Sequence, residues 1–174
     1  MNEASAIRRK SDLDKLRDLQ AKLPRALEIV RVTGTPPKLV RLRIRIPTAK
    51  NRRFPQDQQD TSEVEIAFSE SYPLPPGPLV NFQTPIWNPN VYSSGRWCFG
   101  EWKITENLAL FVTRLMKVIA LDPEIINPRS PANADAANWY VQMRRQQPNL
   151  FPTVSLMSLM AEAVPPKIGW RTIK

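Results

Sequence analysis

The chain has 174 residues, with 42% apolar residues, 25 Lys+Arg against 16 Asp+Glu, and a net charge of +9. That length fits one domain able to bury a real core. A single cysteine, Cys98, excludes an internal disulfide, and the absence of histidine excludes Ser-His and Cys-His pairs and imidazole bases. It also leaves only carboxylates beside one thiol for zinc, so no metal site is expected. The apolar run at 108–112 is broken by Thr113 and Arg114 and is far too short for a membrane span. The first twelve residues lack the hydrophobic stretch of a signal peptide, and the expected setting is the reducing cytoplasm. Residues 1–53 carry 15 Lys+Arg against 5 Asp+Glu, and the remainder 10 against 11. The basic character therefore lies in the N-terminal third, as a solubilising face or as a surface for an acidic protein or nucleic acid.

In chain order, Ser11 is the expected N-cap of a first helix, with Asp12 and Asp14 in its first turn. Leu13, Leu16, Leu19 and Leu23 recur at helical spacing, with Lys15, Arg17 and Lys22 among the polar positions, and Pro24 ends the run. Strands follow over 25–33 and 38–46. In the second, Val40, Leu42, Ile44 and Ile46 alternate with Arg41, Arg43 and Arg45. A polar loop is expected over 48–62 and a third strand over 63–68, completing an antiparallel meander. The stretch YPLPPGP at 72–78 predicts a stiff, extended connector. Its other reading, a proline-rich ligand, suits a segment between strands poorly. A fourth strand is expected over 79–82.

The most distinctive stretch comes next. Asn88-Pro89-Asn90 lies eight residues before Cys98, and the turn signal Ser93-Ser94-Gly95 between them folds the chain back. A lone cysteine can be a small buried hydrophobe. Trp97, Phe99 and Trp102 would suit that role. Arg96, by contrast, favours a thiolate, and the Asn90 amide offers an oxyanion donor. A helix over 107–121 presents Leu108, Phe111, Val112, Leu115, Val118 and Ile119 on one stripe and stops at Asp122-Pro123. Ser130-Pro131 reads as the start of another helix reaching residue 146, with Ala132, Ala136, Trp139, Tyr140 and Met143 inward. The expected domain covers 1–147. Residues 148–174 are read as an extension with a short helix over 153–163 and an exposed tail over 165–174.

Helix, strand meander, proline connector, cysteine loop, helix, helix is an α+β layout. On Tyr72-Pro73 with Pro76, Asn88-Pro89-Asn90, Cys98, Asp122-Pro123 and Pro128, residues 11–147 resemble the ubiquitin-conjugating enzymes. Three departures from the family pattern point to a divergent member, of the kind found among prokaryotic conjugating-enzyme-like proteins. Asn88 replaces the histidine of the family's tripeptide, Gly77 stands where a second proline is common, and the stretch after Cys98 is short.

The resemblance implies that Cys98 accepts a ubiquitin-like modifier from an activating enzyme as a thioester and passes it to an acceptor amine. It assigns Asn90 to the oxyanion and the active-site loop. Asn88, Pro89 and Arg96 support that loop. Asn127 falls at the family's gate position and Asp122 is the nearest carboxylate. Either could orient the amine, as could Glu101, although helix capping or loop hydrogen bonding would also explain all three. Lys15, Arg17 and Lys22 would meet the activating enzyme. A ligase or target protein is a further implied partner. No cofactor, metal or membrane partner is implied. Two rival readings are a binding module of the same fold without catalysis, which a matching cysteine argues against, and a nucleic-acid binder using Arg41, Arg43, Arg45, Arg52 and Arg53, for which no motif speaks.

Overall fold

The computed structural model describes residues 3–151. Helix α1 (Glu3–Lys22) leads into strands β1 (Leu27–Thr33) and β2 (Leu39–Ile44), the short pair β3 (Thr48–Ala49) and β4 (Gln58–Gln59), then β5 (Ser62–Ala67) and β6 (Leu79–Phe82). Helices α2 (Leu108–Ile119) and α3 (Ala134–Gln146) follow. The main sheet is antiparallel in the order β1-β2-β5-β6, which is the expected meander. Alternation sends Val40, Leu42 and Ile44 of β2 and Val64 and Ile66 of β5 into the core. They meet Leu108, Phe111, Val112, Leu115 and Ile119 of α2 there.

The outer face of the sheet carries charge. Arg41 pairs with Glu65, Arg43 with Glu63 and Glu28, and Arg45 with Glu28. Arg53 pairs with Asp57 in the β3–β4 loop. The arginines that suggested a nucleic-acid surface are thus largely neutralised by carboxylates.

Several boundaries differ from expectation. Ser11 is not an N-cap, because α1 begins two turns earlier at Glu3. Residues 4–10 are mostly good helix formers, and tertiary bonds hold them. Ser5 Oγ donates to the Tyr72 carbonyl at 2.6 Å, and Arg9 donates to the carbonyls of Pro37 and Ser69. Asp12, expected at the solvated helix start, is fully buried, where it accepts from Arg8 and from the Tyr72 hydroxyl.

The loop over 48–62 contains the β3–β4 pair and buries Phe54. The proline connector is compact rather than extended. Backbone bonds from Tyr72 to Ser69, Leu74 to Ser71 and Gly77 to Leu74 make it a run of turns, anchored by the buried Tyr72 ring. Gly77 closes it at φ +81°, with Trp102 against the space a Cβ would need.

Ser130-Pro131 does not start α3. Asn133 is the cap, accepting from the Ala136 amide at 3.0 Å. Ala132 and Asn133 are instead held by the Pro89 carbonyl, at 2.8 and 3.1 Å. A second apolar cluster joins Phe54, Leu121, Ile126, Tyr140 and Phe151. Phe151, assigned from sequence to the extension, therefore packs on the domain. The expected helix over 153–163 and tail over 165–174 lie outside the described residues. Among the described residues no helix is long and apolar enough to cross a membrane.

Candidate active site

The site is built on a hairpin. Val91 bridges Trp97, the Tyr92 amide donates to the Arg96 carbonyl at 2.9 Å, and the Cys98 amide donates to the Asn90 carbonyl at 2.8 Å. The turn at 93–95 is closed by the Gly95 amide donating to the Tyr92 carbonyl at 2.9 Å. Gly95 sits at φ +86°, with the Phe82 carbonyl 2.9 Å from where a Cβ would lie, so a side chain there meets strain and a clash. The returning arm lies along β6. Asn81 bridges Arg96, Phe82 donates to Gly95, and Trp97 donates to Val80. This pairing covers the edge of β6 and fixes the cysteine to the sheet.

Side chains in such a hairpin alternate between faces. Val91 and Trp97 are 1% and 2% exposed and point into the core. Asn90, Tyr92, Arg96 and Cys98 therefore share the opposite face, with Tyr92 and Arg96 exposed and Asn90 and Cys98 half-buried. Tyr92 is diagonal to Cys98, within reach for an aromatic side chain. Its hydroxyl is raised above the ordinary tyrosine pKa, first by a hydrogen bond with Cys98 and then by that group's charge. Sequence reasoning missed Tyr92. Alternation about the 93–95 turn was the signal that places it beside the sulfur.

Support comes from below. Asn88 is fully buried; its Nδ2 donates to the Val118 carbonyl near the end of α2 at 2.7 Å, and its Oδ1 accepts the Asn90 amide at 2.8 Å. Pro89 fastens the segment before α3. Asn90 Nδ2 donates to the Ile125 carbonyl at 3.3 Å, and its Oδ1 accepts the Asn127 amide at 3.4 Å. The structure thus joins Asn88, Pro89, Asn90, Asn127 and Cys98 into one connected unit. A primary amide has two N–H groups, so the Ile125 bond leaves Asn90 a second donor.

The side chain of Asn127 caps its own turn, with Oδ1 accepting from the Arg129 amide at 3.1 Å. Asp122 does not join the site. It is 2% exposed, and its Oδ1 accepts the Glu124 amide at 2.9 Å in the turn after α2, a turn-forming role. Glu101 is exposed in the loop after Cys98. Lys15, Arg17 and Lys22 are exposed on α1, remote in sequence from the hairpin. Arg17 pairs with Asp14, while Lys15 and Lys22 line a groove with Leu19, Asn107 and Leu110 between α1 and α2.

Residues 17–151 match the family model described as ubiquitin-conjugating enzyme. The chain belongs to the ubiquitin-conjugating enzyme family. It is 37% identical over 87 residues to ubiquitin-conjugating enzyme E2 2 of Mycosarcoma maydis, a match covering 48% of this chain and 44% of that protein. It is 32% identical over 90 residues to ubiquitin-conjugating enzyme E2 3 of Arabidopsis thaliana, covering 49% of this chain and 57% of that protein. The chain spans about half the length of the curated relatives it matches. Among solved structures, S. cerevisiae Ubc12 superposes with a TM-score of 0.60 at 25% identity, covering 80% of this chain and 72% of that one.

Proposed function

We propose that this member of the family is a thioester carrier for a ubiquitin-like modifier, with Cys98 as the acceptor, working in a reducing cytoplasm. The observation that carries this reading is the hairpin register, which sets a half-exposed thiol beside Asn90 and Tyr92 while Val91 and Trp97 anchor the hairpin in the core. A cysteine kept as an inert core atom would take the inward register instead.

In the proposed reaction the Cys98 sulfur attacks the acyl carbon of the modifier's C-terminal thioester on an activating enzyme, and that enzyme's cysteine leaves as a thiolate. Exchange of one thioester for another is nearly balanced in energy, so a chain without histidine can perform it. An acceptor amine then attacks the new thioester, and Cys98 leaves. The spare Asn90 donor would meet the developing oxyanion, an interaction worth about 3 kcal/mol when well placed. Asn127, fastened to Asn90, would border the incoming amine. It is an amide and cannot take the amine's proton. Exposed Lys15, Arg17 and Lys22 would receive the activating enzyme.

The test is intact mass spectrometry of protein recovered without reductant from its native host, as wild type, Cys98→Ala and Cys98→Ser. The expected result is a protein-sized adduct on wild type that thiol releases, none on the alanine form, and a thiol-resistant ester on the serine form. No adduct in the presence of active activating enzyme and modifier would refute the carrier reading and favour a binding module.

A further inference from the structure

The loop from Cys98 to α2 is held at several points: Trp102 Nε1 donates to the Pro73 carbonyl at 2.7 Å in its middle, and Arg114 reaches both of its ends. Arg114 of α2 lies with Nε 2.8 Å from Glu106 Oε1, and its Nη2 donates to Glu106 Oε2 at 3.0 Å. Its Nη1 reaches the Phe99 carbonyl at 3.4 Å. The guanidinium also stands over the rings of Trp97 and Phe111, at 5.8 and 5.5 Å. Phe99 in turn packs edge-on against Trp97 and Phe111. Arg114 thus touches both residues that flank Cys98 and the acid that ends the loop.

Arg8 of α1 secures the same end by donating to the Glu106 carbonyl at 2.7 Å. A planar guanidinium that meets Glu106 through Nη2, the Phe99 carbonyl through Nη1 and two aromatic rings with its face is specific to arginine, because a lysine ammonium is a point charge.

We infer that Arg114, gripping Glu106, is a positioning residue that fixes Trp97 and Phe99 and so sets how the Cys98 sulfur is presented, an inference that rests on reading Cys98 as the acceptor. The clasp ties the site to the length of this loop. Arg114 spans the loop between Cys98 and α2, with Glu106 at its far end and the Phe99 carbonyl at its near end. Burial raises the Glu106 carboxyl above its ordinary pKa, while the charges of Arg114 and Lys103 pull it back down. Those two cations and Arg8, on the Glu106 carbonyl, are the charged groups facing it. Protonation of Glu106 therefore opens the clasp at a higher pH than for an ordinary carboxylate.

The experiment is alkylation of Cys98 by N-ethylmaleimide in the full chain, followed by intact mass, for wild type, Arg114→Met, Arg114→Lys, Glu106→Gln and the Arg114→Met/Glu106→Gln double variant. Releasing the loop uncovers the half-buried thiol, so Arg114→Met and Glu106→Gln should each react roughly fivefold faster than wild type, the scale of one coupled pair. The double variant should be no faster than the faster single. Arg114→Lys should fall between wild type and Arg114→Met. The rate ratio of Glu106→Gln to wild type should approach one as pH falls through the raised Glu106 range, which side-chain volume alone would not produce.

Unchanged alkylation in a cooperatively melting Arg114→Met, or additive effects in the double variant, would overturn the inference. If Arg114→Met does not fold, the near-isosteric Glu106→Gln decides by the same rate and pH criteria. An adduct on wild type with unchanged alkylation in the variants would sink the clasp and leave the carrier reading standing. Accelerated alkylation with no adduct would do the reverse.

Discussion

Replacing Asn88 by alanine tests what holds the cysteine hairpin. The side chain is fully buried and makes two hydrogen bonds, one to the Val118 carbonyl and one from the Asn90 amide. Each is worth about 1 kcal/mol net, and a buried group left without its partner adds about 1–3 kcal/mol. The Val118 carbonyl keeps a partner, the Leu121 amide at 3.0 Å. The Asn90 amide loses its only acceptor among the described residues. The sum is about 3–5 kcal/mol, or roughly 9–15 °C in Tm for a domain of this size. Urea unfolding followed by far-ultraviolet circular dichroism, paired with tryptophan fluorescence, measures it. Asn88→Asp should be worse than Asn88→Ala at neutral pH, because a buried carboxylate would face the Val118 carbonyl. A loss below about 1 kcal/mol for the alanine variant, or an aspartate variant as stable as the alanine one, would refute the account of Asn88 as the polar peg between α2 and the tripeptide.

Gly77→Ala should destabilise by about 2–4 kcal/mol, since the new Cβ combines a positive φ with contact against Trp102; a Tm within error of wild type would show that the turn can refold. Charge reversal of Lys15, Arg17 and Lys22 together should leave the melting curve near wild type, because all three are exposed, and should slow adduct formation on Cys98. Equal adduct formation would remove α1 from the docking surface. Lys50, Asn51 and Arg53 hold the Asp57 carboxyl well below the usual carboxylate range. Its stabilisation of the β3–β4 loop is then fully present above the unfolded pKa and is lost only as pH falls through the depressed native value. Carboxyl chemical shifts across an acid titration should show Asp57 titrating below the other aspartates, and Asp57→Asn should flatten the acid limb of the stability curve.

The strand meander was legible because its signal is local. The alternation of Val40, Leu42 and Ile44 with arginines has period two, and burial on one face enforces it. The cysteine loop was legible for a similar reason, since the 93–95 turn and the spacing from Asn90 to Cys98 constrain a hairpin by themselves. The polar parts were not legible. Asp12 read as a first-turn helix acid and Arg9 lay outside the expected helix, yet both are buried in α1, since Pro37, Ser69 and Tyr72 supply partners from distant segments. Asp122 read equally as a group to orient the amine or as a capping and loop partner, and the turn role it takes depends on how α2 ends against Ile125 and Ile126.

By itself the sequence determined which residue types exist for chemistry: one thiol, no imidazole, and an amide at the position facing that thiol. It also determined the periodicities that make the sheet and α2, because hydrophobic burial acts on patterns a few residues long. Tertiary structure decided which polar groups meet. Arg114 over Trp97 and on Glu106, Asn88 on Val118, and Asn90 between Ile125 and Asn127 are pairings across 8 to 37 residues. A hydrogen bond or ion pair has no sequence period, so its partner is fixed only when packing of the apolar faces brings the two segments together.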